Sequence, residues 1–164
     1  MKKSIRFTVI LVLLLISFVS ASLSKDVVLW SPEEIDSVIS HCECNTSSAE
    51  ILYMSGEAYF LMASGYYEVL IEEYKSTIYD ETNAEKLANA VMCGSAVLLK
   101  ASDLDPSLKP VCFILIAQMQ TFVFDFDSAR YFLERAQDLG VSDVKGIIES
   151  VNEIEKLYNE IFGI

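Results

Sequence analysis

Beyond residue 30 the chain alternates short polar clusters with longer stretches in which apolar residues recur every three or four positions. That period belongs to helices with one buried face. The start signals are explicit. In "WSPEE", Ser31 stands as N-cap, Pro32 at the first helical position and Glu34 where it closes a capping box. Trp30 and Ile35 have the spacing of a hydrophobic staple. "SSAE" repeats the box with Ser47 and Glu50, and "TNAE" repeats it with Thr82 and Glu85. Asp105 before Pro106, Asp127 before Ser128 and Ser142 before Asp143 mark three more starts. Turn residues around Gly65, Asp80, Pro106, Asp125 and Gly140 separate the apolar segments. The pattern predicts helices over 32–42, 48–64, 66–79, 83–104, 107–124, 127–139 and 142–162. The one strand-like string, "VCFILIA", is assigned to a helix by its length and flanks. Short connections predict that successive helices are antiparallel, in an all-α fold.

A finer pattern runs from Pro110 to Asp143. Ala129, Leu133 and Ala136 have the spacing A-x3-F-x2-A with Leu for the aromatic, and Phe113, Ile116 and Ala117 fall at the large, apolar and small positions of W-x2-L-G-x2-Y. This stretch resembles one tetratricopeptide repeat, although Gln120 replaces the expected Tyr and Val141 the expected Pro. A second, partial match starts at Ala49: Leu52, Gly56 and Tyr59 fit, Ser55 departs, and Leu70, Tyr74 and Thr77 make a poorer second helix after a two-residue insertion. Between the two, Leu98, Ala101 and Pro106 have the spacing of a repeat's end, with Gly94 at its small position. The resemblance implies antiparallel helix pairs stacked as a short tetratricopeptide-like solenoid; a generic up-down bundle is the alternative. Val144, Ile148, Val151, Ile154, Tyr158 and Ile161 form the apolar stripe of a C-terminal capping helix. The resemblance further implies a partner-binding groove lined by Tyr53, Phe60, Ile114, Gln118 and Phe122, with Glu50 and Glu57 adding acidic character. Core packing competes with that role for the aromatic members.

The first 21 residues read differently. "MKKSIR" is a basic n-region, "FTVILVLLLISFV" an apolar h-region, and "VSA" sets small residues before a cut after Ala21. The apolar run is shorter than the roughly 20 residues that span a bilayer comfortably. The expected organisation is a secretory signal over 1–21, an extension over 22–30 and a helical domain over 31–164. The mature protein is expected to be secreted or periplasmic without membrane insertion; an uncleaved N-terminal anchor is the alternative. Loss of Lys2, Lys3 and Arg6 leaves nine basic residues against 24 acidic ones, a net charge of −15. Such a surface argues against nucleic acid or anionic lipid as partner.

"HCEC" is the most chemically suggestive string: His41, Cys42, Glu43 and Cys44. Imidazole and thiolates bind soft or borderline metals, and C-x-C can be redox active. A structural zinc site, however, commonly wants two separated ligand pairs, and His41 is the sole histidine. In an exported chain a Cys42–Cys44 disulfide, or the pairing of one of them with a distant cysteine, is the stronger expectation. Cys93 and Cys112 are expected not to pair with each other, since their offset across the turn near Pro106 separates their levels by about 10 Å. Each is expected to be a small buried hydrophobe. Asn45-Thr46-Ser47 is an N-glycosylation sequon. Asp125 and Asp127 begin like a calcium loop, but Arg130 stands where that loop needs Gly and Ala136 where it needs Glu. No phosphate-binding, zinc-protease or nucleophile-elbow motif occurs. The sequence therefore predicts a non-catalytic adaptor for a protein or peptide, without a cofactor. The alternatives are a binding subunit enclosing a small ligand and a metal or redox module at "HCEC".

Overall fold

A computed structural model describes residues 27–76 and 80–162, with the side chains of residues 29, 74, 161 and 162 left out of account. The expected signal and its expected cut after Ala21 lie outside the described residues, and no strand occurs among the described ones. After a 3-10 turn at Val27–Leu29 come α1 (Pro32–His41), α2 (Ala49–Ser76), α3 (Glu81–Leu104), a 3-10 turn at Pro106–Leu108, α4 (Lys109–Phe122), α5 (Phe126–Asp138) and α6 (Val144–Phe162).

The polar clusters start the helices, sometimes a residue or two from their expected positions. The Glu34 amide donates to Ser31 Oγ at 3.3 Å and the Ser31 amide to Glu34 Oε2 at 2.6 Å, a complete capping box. Ser48 rather than Ser47 caps α2, accepting from the Ile51 amide at 3.3 Å. Asp80 rather than Thr82 caps α3, accepting from the Thr82 amide at 2.9 Å. Asp125 rather than Asp127 caps α5 through the Ser128 amide at 3.1 Å. A carboxylate with one methylene reaches these orphan amides directly, which is why Asp serves repeatedly.

One expected turn is absent. The helices placed at 48–64 and 66–79 are a single 28-residue helix running through Gly65. Glycine in a helix interior costs only about 1 kcal/mol, and Ala63 and Leu70 on either side of it are buried in the core, which outweighs that cost. The helix pair expected within residues 48–79 therefore does not form. The turn between α4 and α5 does form: Phe124 takes the left-handed region at φ 61°, and Asp125 begins the next helix.

The core is built around α3, where Cys93, Gly94, Ser95, Ala96, Val97 and Leu98 are buried in succession. Three helices converge at Gly94: a Cβ there would stand 2.7 Å from Met119 Sδ on α4 and 2.9 Å from Tyr59 Cβ on α2. A Cβ at Gly56 would run into the Leu98 side chain. Contacts pair α2 with α3, α3 with α4, α4 with α5 and α5 with α6, and α1 also lies on α3. Because α3 is antiparallel to both neighbours, α2 and α4 run parallel, and they touch each other directly. Ile116, Ala117, Ala129, Leu133 and Ala136 are fully buried in the α4–α5 pair, and Phe113 meets Phe132 with ring centroids 5.4 Å apart. The small residues let the helix backbones approach, and the larger ones fill the space beside them. Gln120 is buried and its Nε2 donates to Ser95 Oγ at 3.0 Å, so its polar end is not left unpaired.

The C-terminal helix packs on α5. Val144 and Val151 are buried, the Tyr158 ring lies tilted against Phe124 with centroids 4.9 Å apart, and Arg130 of α5 bonds Glu155 Oε2 at 2.5 Å. At the other end, Val27 is buried, and Val28 and Trp30 pack against the core.

Candidate functional site

Helices α2 and α4 touch along a seam. Of the predicted groove residues, Tyr53 and Phe60 belong to α2 and Ile114, Gln118 and Phe122 to α4, all half-buried, while Glu50 and Glu57 on α2 are exposed. Tyr53 Oη donates to Glu57 Oε1 at 2.7 Å. Burial and then this carboxylate push the phenol up to about 12, so it stays a neutral donor. Phe60 stacks on Phe122 with centroids 5.9 Å apart, which makes the Phe60 end of the seam a packed contact and not an open cleft. The Tyr53–Glu57 end carries the accessible polar groups.

Sequence reasoning missed how far the aromatic packing extends. Tyr67 lies 5.1 Å from Phe122 and 6.4 Å from Phe124, and Phe124 in turn meets Phe126 and Tyr158. This chain of rings ties α2, α4, α5 and α6 together. Tyr67 follows Phe60 by seven residues, two helical turns, and that spacing was the available signal.

The "HCEC" segment forms the link between α1 and α2, and its chemistry is decided by a distant partner. Cys42 is bonded to Cys93, with Cα atoms 5.9 Å apart across a sequence separation of 51. This realises the expected pairing with a distant cysteine and corrects the expectation that Cys93 carries a free thiol. Cys93 and Cys112 are indeed not joined. The Cys42–Cys93 bond removes one of the thiolates that a His41, Cys42, Cys44 metal site would need. Among the described residues no group of three or more His, Cys, Asp and Glu side chains is arranged to hold a metal ion. Cys44 remains a free, half-buried thiol donating to Ser55 Oγ at 3.4 Å. Tyr59 Oη donates to the Cys42 carbonyl at 3.3 Å, and Glu43 turns the chain at φ 56°. Closing a loop of this length removes about 4 kcal/mol of unfolded-state freedom in the chain-entropy account. Asn45 is exposed on the same link, and His41 is exposed at the end of α1.

A surface that the sequence reading did not single out lies on the outer side of α2. Ile51, Met54, Leu61, Met62 and Val69 are exposed there, with Leu61 at 69% and Met54 at 60%. Near its C-terminal end, Gly65, Glu68, Val69, Glu72, Glu73 and Ser76 line a depression of about 580 Å3. The available signal was that apolar residues surround α2 instead of keeping to one face.

No protein-family model, curated protein or solved structure matches this chain.

Proposed function

We propose that the mature protein is an exported, tetratricopeptide-like adaptor that holds a protein or peptide without chemistry. The observation that carries this reading is the parallel placement of α2 and α4 side by side on α3, with the Glu50, Tyr53 and Glu57 rim and Gln118 along their seam. In a stack of helix pairs, first helices lie parallel and present one continuous surface. On this reading α2 and α3 form one pair, α4 and α5 the next, and α6 the cap; the unit is one helix longer than the partial match at Ala49 suggested. The rim supplies a neutral phenol donor and two carboxylates, which suits a peptide carrying basic groups.

Export is supported by the Cys42–Cys93 bond, since structural disulfides persist in oxidising compartments. The net charge of −15 left by signal removal favours a basic partner over nucleic acid or anionic lipid.

Affinity capture of the tagged mature protein, beside a Tyr53→Ala, Gln118→Ala variant, tests the reading. The expected result is a protein that co-purifies stoichiometrically with the wild type and is depleted about tenfold or more with the variant. Equal recovery with both proteins would remove the α2–α4 seam as the binding site. Recovery of a tightly held small molecule instead would favour the ligand-enclosing alternative.

A further inference from the structure

We propose that the outer face of α2 is a second docking surface, and that its occupant is an amphipathic helix of another protein with basic residues along one edge. The proposal rests on the adaptor reading only in assuming a protein partner; it uses a different face of α2 from the seam.

At 3.6 residues per turn, Ile51, Met54, Leu61, Met62 and Val69 fall on one side of the helix, together with Ala58 and Gly65. From Ile51 to Val69 the stripe is about 27 Å long, five turns of helix. Scattered exposed apolar residues are ordinary, but a continuous row on one element is a surface that another apolar face covers. Among the described residues, five of the ten exposed large hydrophobic residues stand on this one helix. The stripe also lies about half a turn around α2 from Phe60 and Tyr67, the residues stacked with Phe122 of α4. It is therefore the open end of the helix stack, where one more helix would continue the packing that α2 makes with α4. Exposed Met54 and Met62 supply flexible side chains that adapt to such a partner.

Charge selects among the possible occupants. Glu50, Glu57, Glu68 and Glu72 run along the edge of the stripe nearer the seam; Glu50 and Glu57 border both surfaces, Glu68 and Glu72 the stripe alone. Among the described residues only Glu72 of these has a basic partner, Lys75 at 2.6 Å. The depression over Gly65 and Val69 offers the head of a lysine or arginine the carboxylates of Glu68 and Glu72, while Glu73 is held by the Asp80 amide and Asn83. A second copy of the chain fits poorly: a twofold contact centred on Leu61 sets Glu50 level with Glu72 and joins two acidic surfaces. An anionic membrane is repelled for the same reason. The chain's own leader carries its bases only at one end, before an apolar run without charge, and does not match a row of carboxylates spread along the stripe.

The test uses a synthetic helical peptide of about 20 residues, long enough to cover the stripe, with leucine at i, i+3, i+4 and i+7 spacing and lysine along one edge. A twin carries glutamate for lysine. Binding to the mature protein is measured by calorimetry, with hydrogen exchange locating the site. The lysine peptide is expected to bind about tenfold or more tightly than its twin and to protect α2. Met54→Ser, Leu61→Ser is expected to weaken it about tenfold or more, and Glu68→Lys, Glu72→Lys to weaken it and flatten its salt dependence. All four positions are exposed, and unchanged circular dichroism confirms folding. The Tyr53→Ala, Gln118→Ala protein is expected to bind the peptide as wild type does, so failure at the stripe and failure at the seam are told apart. Equal binding of both peptides, loss with the seam variant alone, a dimer that protects Leu61, protection of Leu61 only when residues 1–21 are retained, or recruitment to phosphatidylglycerol vesicles would each overturn the proposal.

Discussion

Helices α2 and α3 have similar lengths and are both rich in apolar residues, yet they end in opposite environments. Helix α3 touches α1, α2 and α4, and Ala96, Val97, Leu98 and Ala101 are fully buried. Helix α2 gives one side to α3, another to α4, and leaves Ile51, Met54, Leu61, Met62 and Val69 facing outward. The difference teaches that apolar content does not distinguish a central helix from a peripheral one. What distinguishes them is residue size at the contacts. On α3, Gly94 and the alanines allow helices to approach from several sides; on the outer face of α2 the side chains are long, and no close approach is made.

The largest expected effect tests that contrast with one residue type. Leu98→Ala should lower stability by about 3–5 kcal/mol in urea titrations, because a filled site becomes a cavity. Leu61→Ala should stay within about 0.5 kcal/mol of wild type, as exposed substitutions do. Similar losses at the two positions would mean that the outer face of α2 is covered within the chain itself.

Next in size is the link that holds the end of α1 to the middle of α3. Replacing Cys42 and Cys93 together by Ser should cost about 2–4 kcal/mol, while Cys44→Ser should leave stability within about 0.5 kcal/mol. Non-reducing peptide mapping should show Cys42 joined to Cys93. A peptide joining Cys42 to Cys44 would detach α1 from α3 and remove the contrast at its origin.

A smaller effect of opposite sign concerns the continuity of α2. Gly65 has open space where a side chain would go, and it lies in mid-helix. Gly65→Ala should therefore raise stability by about 0.5–1 kcal/mol. Loss of stability would restore the turn that the sequence suggested there.

The smallest effect is one of pH. Burial holds the Cys112 thiol up at about 12, against 9.0 for a free thiol. A raised pKa in the folded state means that the native protein keeps a proton the unfolded chain gives up. The contribution is fully present below about pH 9 and is lost as pH rises towards 12. Denaturation midpoints should fall above about pH 9 more steeply for the wild type than for Cys112→Ala, and at neutral pH a thiol reagent should label Cys44 before Cys112.

What could be read in advance follows from how local each cause is. The caps needed only neighbours, so Ser31 with Glu34 was legible to the residue, and Asp125 and Asp80 to within two. The small residues of the α4–α5 pair were legible because their spacing is fixed by one helix meeting the next. Gly65 misled because a local preference worth about 1 kcal/mol was outweighed by core packing at Ala63 and Leu70. The Cys42–Cys93 bond could not be singled out, because which of four cysteines meet depends on α1 lying across α3. How far Phe60 and Phe122 would close on each other depended on helix spacing, which sequence does not state.

The central proposal is that the outer face of α2, left uncovered by the other described helices, receives a partner. Photocrosslinking from a benzoylphenylalanine in place of Leu61, with the protein in its native compartment, tests it most directly. The account predicts a discrete adduct with another protein through a segment of basic, amphipathic helical pattern, and loss of that adduct on Glu68→Lys, Glu72→Lys substitution. Adducts to a second copy of this chain, to its own core or to lipid alone would contradict it.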